Sequence, residues 1–169
     1  LGSTDKLGKA IGAKSNKQIS ERYPTLITPA GWAFAIWGPI FLLEGGFCYW
    51  QWNIPTNSEL LVAASPYWCA GCLLQAAWTV AFAFEKVTLS GVLLGGIAGA
   101  IGSAYSCIHK MPSTYTDYAF SALPFALHTG WLVAATIVNT NIAAVAAKAT
   151  PPQQVQLAWA SEALAAAAT

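Results

Sequence analysis

Charged residues are scarce in this chain, where they make up 9% of 169 residues. An ordinary soluble domain has about 25% charged residues, so the composition disfavours a water-soluble monomer. Eight basic and seven acidic side chains leave a formal net charge of +1, which excludes a nucleic-acid binder with a basic groove. Hydrophobic residues reach 56%, which excludes a disordered chain. The length fits one domain, and the composition predicts an all-α, polytopic bundle of membrane helices.

Side chains and motifs that support catalysis are also scarce. The chain has two histidines, His109 and His128, and it contains no H-E-x-x-H, G-x-S-x-G or phosphate-loop motif. A hydrolytic triad or a multi-histidine metal site would be difficult to build from this set. We therefore expect a protein that is not an enzyme and that has no metal site of its own.

Four apolar stretches are long enough to cross a bilayer, whose core of about 30 Å needs roughly 20 helical residues. They cover residues 29–52, 67–84, 87–108 and 118–144. Pro39 and Pro124 lie inside the first and the fourth stretch. Because an internal proline removes a backbone hydrogen bond, we expect each to kink its helix and open space between helices.

The segments outside the spans differ in character from the bundle. Residues 1–28 form a polar, Lys-rich N-terminal segment, and residues 29–148 form the transmembrane bundle. Consecutive prolines then break the chain within residues 149–169. Residues 155–169 are helical in pattern but too short to span comfortably. They are interpreted as a partial fifth helix or an interfacial helix.

Basic residues are distributed unevenly between the two ends of the spans. If four helices alternate in direction, Lys86 and Lys148 lie on the same side as the Lys-rich segment, and Lys110 lies on the other side. By the positive-inside rule, the N-terminal segment faces the cytoplasm, the stroma or the matrix. The lipid bilayer is therefore the first partner that the sequence predicts, and no nucleic acid is expected.

Glu44 is the only charged side chain deep within a span. A carboxylate in lipid costs several kcal/mol, so it should face protein, water or a ligand. Counting residues along the spans places Gln75 at about the same depth and His128 slightly deeper. The three side chains form either a hydrogen-bonded clamp between helices or a ligand site. In a ligand site, His128 or Glu44 would be an axial ligand of a metal-centred ring, or Glu44 would bind a polar head group.

Aromatic side chains cluster toward the basic side of the predicted bundle. An aromatic-lined cavity there would accept a flat hydrophobic molecule by stacking, although core packing explains the same residues. The cluster contains Trp32, Phe34 and Trp37 on the first span, Trp78, Phe82 and Phe84 on the second, and the deeper Trp131 on the fourth.

Small residues recur at every fourth position of the third span, at Gly91, Gly95, Gly99 and Ser103. This spacing places them on one stripe of the helix, where another helix can approach closely. The partner could be a helix of this chain, a helix of another membrane subunit, or a flat ligand ring.

Three parts of the chain resemble the translocator protein (TspO/MBR) family, particularly its longer bacterial and algal-type members. Residues 18–24 (QISERYP) and 27–41 (ITPAGWAFAIWGPIF) resemble the region that enters the second helix of that family. Residues 75–82 (QAAWTVAF) and 123–139 (LPFALHTGWLVAATIVN) resemble its third and fifth helices. The family's first helix would precede the Lys-rich segment, and we expect this chain to lack it.

The resemblance implies a bundle of membrane helices that binds porphyrins and other flat lipophilic molecules without catalysis. By motif, Trp37, Trp78, Trp131 and Asn139 would be the pocket or packing positions. The expected ligand is a tetrapyrrole such as a chlorophyll or a porphyrin, with a carotenoid as a further possibility.

An alternative role is an accessory, pigment-associated subunit of a photosynthetic supercomplex in a plastid thylakoid. The small-residue stripe, the missing first helix and a start without Met motivate this alternative. On this interpretation, the stripe contacts another membrane subunit of the complex.

Overall fold

The structure, a computed structural model, describes residues 12–53, 59–110 and 114–167. Within these ranges the chain forms helices and connections, without strands. Four stretches are long and apolar enough to cross a membrane: Gly31–Gln51, Glu59–Ala83, Val87–Ile108 and Tyr115–Ala146. The predicted all-α class and the four predicted spans are therefore confirmed.

Seven α-helices and one 3₁₀ helix follow one another along the described chain. They are α1 (Asn16–Arg22), the 3₁₀ helix (Gly31–Ile36), α2 (Trp37–Gln51), α3 (Glu59–Ala83), α4 (Val87–Ile108), α5 (Tyr115–Phe120), α6 (Ala122–Ala146) and α7 (Pro151–Ala167). The largest interfaces join α3 to α4 and α4 to α6. Helix α2 packs on α6, whereas its backbone stays apart from that of α3, and aromatic side chains such as Phe47 and Trp68 bridge the space between α2 and α3.

Glycines allow α3 and α4 to approach closely. A Cβ atom on Gly71 of α3 would lie 2.6 Å from Cδ1 of Ile101 on α4, and one on Gly96 would lie 3.3 Å from Cδ1 of Leu74. Larger residues at these positions would push the helices apart. Small residues at helix interfaces are the usual solution in membranes, where burial from water provides little drive for helices to associate.

The second span begins earlier than predicted. Helix α3 starts at Glu59 and continues through Pro66, whereas the sequence pattern placed the helix start at residue 67. The prediction was wrong because it assigned residues 53–65, which contain Pro55 and Asn57, to a connection between the first two spans. Helix α3 tolerates Pro66, since neighbouring polar groups in membrane helices compensate for a missing N–H donor. The first part of the predicted connection, residues 54–58, lies outside the described residues.

Pro39 and Pro124, which were predicted to kink their helices, each directly follow an irregular turn of the span. Pro39 is the third residue of α2, directly after the 3₁₀ helix, and Pro124 is the third residue of α6. N–H groups of a first helical turn have no partner within the helix, so proline is tolerated there. The irregularities therefore precede the prolines, in the 3₁₀ helix and at Ser121, which separates α5 from α6.

The N-terminal segment is attached to the turn between α3 and α4. The backbone N–H of Lys14 donates to the carbonyl of Ala83 at 2.9 Å. Glu85 in this turn has a left-handed backbone (φ 57°) and forms ion pairs with Lys14 and Arg22. Ile19 of α1 is fully buried in the main core. The described part of this segment thus covers one end of the bundle.

The C-terminal helix begins at the predicted proline break. Helix α7 starts at Pro151 and packs on α6, where Nδ2 of Asn141 donates to Oγ of Ser161 at 2.9 Å. Its 17 residues extend for about 26 Å, which is slightly less than the thickness of a bilayer core.

Candidate functional site

Three tryptophans from three helices surround one cavity, which we call the aromatic cavity. The ring centroid of Trp37 on α2 lies 5.8 Å from that of Trp78 on α3 and 6.0 Å from that of Trp131 on α6. Phe82 stacks on Trp78 at 5.1 Å, and Phe34 meets Trp131 edge-on at 6.5 Å. These arrangements leave aromatic faces and edges on several sides of one space.

The aromatic cavity is small and open on one side. Its volume is about 120 Å³, and counting the space in its mouth raises this to about 590 Å³. Asn16 of α1 and Pro29 contribute to its wall, so the N-terminal segment covers part of it. The remaining wall comes from α4 and α6, through Leu94, Ala134, Ala135, Val138, Asn139 and Ile142.

The polar atoms of this wall have unused hydrogen-bonding capacity. The indole N–H groups of Trp78 and Trp131 are buried and have no hydrogen-bond partner among the described residues. The same holds for Oδ1 of Asn139, whose Nδ2 donates to Oγ of Ser90 at 2.9 Å. Buried polar groups without partners are rare in proteins, so two donors and one acceptor on one wall indicate a site for a ligand or water.

Two aromatic residues that the sequence assigned to this cavity lie outside it. Trp32 is 80% exposed, and Phe84 is 45% exposed at the start of the turn after α3. Neither belongs to the wall. Trp32 lies in the 3₁₀ helix, whose turns rotate side chains differently from an α-helix, and this is why helical counting misplaced it.

A second cavity contains the polar groups that the sequence placed at one depth, and we call it the polar cavity. Glu44 of α2, Gln75 of α3 and His128 of α6 all line it, and its volume is about 290 Å³. Nδ1 of His128 lies 2.8 Å from Oε1 of Glu44, within hydrogen-bonding distance. His128 is 2% exposed, and the Glu44 side chain is 13% exposed. The polar clamp between helices therefore exists, although Gln75 does not bond to it directly.

The structure separates these residues into two neighbouring sites. The ring of Trp37 lies 5.8 Å from that of His128 in an edge-on contact, so the indole stands between the two cavities. The sequence also missed the contributions of Asn16 and Pro29 to the aromatic cavity. Asn16 lies outside the predicted spans and Pro29 is the first residue of one, so apolar periodicity carries no information about either residue.

The small-residue stripe of α4 has two different environments. A Cβ atom on Gly91 would lie 2.9 Å from Oδ1 of Asn139, so this glycine packs against the wall of the aromatic cavity. Gly95 and Gly99 are exposed, and a Cβ atom there would meet nothing within 4 Å in the described chain. Ser103 is partly buried and donates to the carbonyl of Gly99 at 2.7 Å.

These features define a polytopic helical membrane protein with two cavities between its helices. In the described ranges, no group of three or more His, Cys, Asp or Glu side chains is arranged to hold a metal ion. The family of TSPO-like proteins matches residues 6–169, and the chain belongs to this family. The resemblance seen in the sequence motifs is thereby confirmed, and the protein is an integral membrane protein. Neither the curated proteins nor the solved structures include a match.

Proposed function

We propose that this protein binds a flat lipophilic molecule, such as a porphyrin or a chlorophyll, in the aromatic cavity and does not act as an enzyme. The observation that supports it most strongly is the pair of buried, unpartnered indole N–H groups, from Trp78 and Trp131, on an otherwise apolar wall. Membership of the TSPO-like family is consistent with this role.

The size of the cavity determines how such a ligand would be held. Sites for drug-sized molecules have volumes of about 300–1,000 Å³, whereas the aromatic cavity has about 120 Å³. A tetrapyrrole would therefore insert one edge among the tryptophans, with the rest of its ring in the mouth of the cavity. A carotenoid would be held the same way, by one end ring.

The residues of the wall have separate roles in this proposal. Trp37, Trp78 and Trp131 stack on the ring, and the indole N–H groups donate to carboxylate or carbonyl oxygens at its edge. Asn139 lines the cavity, and its hydrogen bond to Ser90 fixes this part of the wall. Axial ligation of a ring metal by His128 or Glu44 would need the ring in the polar cavity, because Trp37 separates both residues from the aromatic cavity.

Equilibrium dialysis of protoporphyrin IX tests the proposal. The protein is placed in lipid nanodiscs and dialysed against empty nanodiscs of the same lipid, which corrects for partitioning, and bound porphyrin is measured by absorbance. Trp131→Leu should weaken binding about tenfold, since stacking and one charge-assisted donor are lost. Trp32→Leu is the matched control and should bind like the unmodified protein. Equal binding by both variants would exclude the aromatic cavity as the site.

A second candidate function is an accessory subunit of a larger membrane complex, with its N-terminal segment on the stromal side of a thylakoid. The exposed glycines Gly95 and Gly99 favour it, because they leave a flat surface on α4 where another helix could pack closely. Mild solubilisation of the source membrane followed by native electrophoresis tests it. Comigration with a large pigmented complex supports the subunit role, and migration as a small species argues against it.

A further inference from the structure

We propose that the polar cavity is a second binding site, which takes the protonated amino group of an amphiphilic amine. The proposal is independent of the aromatic cavity, since the two sites have different lining residues. Glu44 provides the anionic acceptor, and Gln75 and His128 provide further acceptors.

Two buried polar atoms of the polar cavity have no hydrogen-bond partner among the described residues. Oε1 of Gln75 and Nε2 of His128 are both buried and have no partner within the part of the chain that the structure covers. The hydroxyl of Thr79 already donates to the backbone carbonyl of Gln75 at 2.9 Å. A ligand with several N–H donors would satisfy these groups, and a primary ammonium has three.

Glu44 and His128 form the pair that would receive the ammonium. Nδ1 of His128 lies 2.8 Å from Oε1 of Glu44. A carboxylate can only accept hydrogen bonds, so an ionised Glu44 accepts from Nδ1 and leaves Nε2 as an acceptor. A carboxylate in a membrane span calls for a cationic partner, and the ammonium of the ligand would supply it.

The rest of the wall suits the apolar body of an amine. Phe41, Gly71, Ala76 and Ile101 line the cavity, and its volume of about 290 Å³ accommodates a small aromatic or aliphatic group. Phe41 stacks on Trp37 at 5.4 Å, and aromatic faces next to the site favour a cation further.

The polar cavity reaches the outer surface of the bundle between α2 and α3. Four of its lining residues are also exposed, and the backbones of the two helices do not approach closely. These residues are Phe41, Cys72, Ala76 and Thr79. An amphiphilic amine dissolved in the bilayer could therefore enter sideways. The ammonium could belong to a free amine or to the headgroup of a phosphatidylethanolamine lipid, which has the same donor chemistry.

The test is equilibrium dialysis of radiolabelled 2-phenylethylamine and of its neutral isostere 2-phenylethanol against the protein in phosphatidylcholine nanodiscs. Empty nanodiscs correct for partitioning. The amine should bind about tenfold more tightly than the alcohol, and Glu44→Gln should remove that preference, because it keeps the acceptor for His128 but not the charge. Added phosphatidylethanolamine should displace the amine if the lipid headgroup is the occupant, and should leave it bound if a free amine is.

A matched pair of variants on α3 keeps the proposal testable if Glu44→Gln does not fold. Ala76 lines the polar cavity, whereas Ala77 lines neither cavity, and both are exposed. Ala76→Leu should fill the cavity and weaken amine binding about tenfold, since it takes the space of the ligand. Ala77→Leu should have no effect. Equal binding of amine and alcohol by the unmodified protein, or equal effects of the two leucines, would overturn the proposal.

Discussion

The contact between Gly91 and Asn139 leads to a sharp prediction about the aromatic cavity. A Cβ atom added by Gly91→Ala would lie 2.9 Å from Oδ1 of Asn139, which is closer than a carbon and an oxygen can pack. Asn139 is 2% exposed and is held by Ser90, so it cannot avoid the methyl group without breaking that hydrogen bond. We expect the substitution to displace the amide from the cavity wall.

The expected destabilisation follows from two opposing contributions. Leaving a buried amide or hydroxyl without its partner costs about 1–3 kcal/mol. Replacing glycine by alanine inside a helix contributes about 1 kcal/mol in the opposite direction. Gly95→Ala, one turn further along α4, gives the same increase in helix propensity. Its added Cβ atom meets nothing within 4 Å among the described residues. The contribution of helix propensity is the same in both variants and cancels, so their free energies of unfolding should differ by about 1–3 kcal/mol.

Equilibrium unfolding in mixed micelles measures this difference. The protein in a mild detergent is titrated with dodecyl sulfate, and near-ultraviolet circular dichroism follows its tryptophans. The same preparations are then tested for protoporphyrin IX binding, which we expect Gly91→Ala to weaken and Gly95→Ala to leave unchanged. If both variants unfold with the same free energy, Gly91 does not contact Asn139 as described, and the assignment of the amide to the cavity wall fails.

Three further substitutions test other contacts of the bundle. Glu85→Gln removes the anion that holds the N-terminal segment, and should speed trypsin cleavage within residues 12–28, whereas Glu21→Gln, whose carboxylate is well exposed, should not. Gly71→Leu should lower the free energy of unfolding in mixed micelles by about 1–3 kcal/mol or more, because its side chain would overlap a buried isoleucine of α4. Ser161→Ala should cost about 1 kcal/mol and expose α7 to proteolysis, because Nδ2 of Asn141 loses its partner on α7 and keeps only the carbonyl of Ile137 on its own helix; an unchanged cleavage pattern would show that this bond does not hold α7.

Much of the membrane architecture could be predicted from local sequence. Helix α4 has the predicted bounds, Val87–Ile108, since charged residues border the apolar run on both sides. The start of α3 was mispredicted, because the turn-forming residues Pro55 and Asn57 led to all of residues 53–65 being assigned to a connection. The number of spans depends on the hydrophobicity of about 20 residues taken together. The residue at which a helix begins or ends depends on only a few backbone hydrogen bonds.

The aromatic cavity and the polar cavity also correspond to a pattern of spacings in the sequence. Trp37 and Glu44 lie seven residues apart on α2, and Trp131 and His128 lie three apart on α6. Such spacings place an aromatic and a polar side chain on one face of each helix, one or two turns apart. Depth along each span could therefore be read from residue counting, and it correctly grouped the polar residues.

The sequence by itself determined that this chain lies in a membrane, how many apolar spans it has, and the depth of its polar and aromatic side chains. These properties follow from transfer free energies and helical periodicity, which act along one helix at a time. Only the tertiary structure decided that Trp37 separates two cavities and that Asn16 closes part of one of them. These contacts depend on which helices are neighbours, how each is rotated, and how Glu85 holds the N-terminal segment. Such relations join residues far apart in the chain, and no local pattern encodes them.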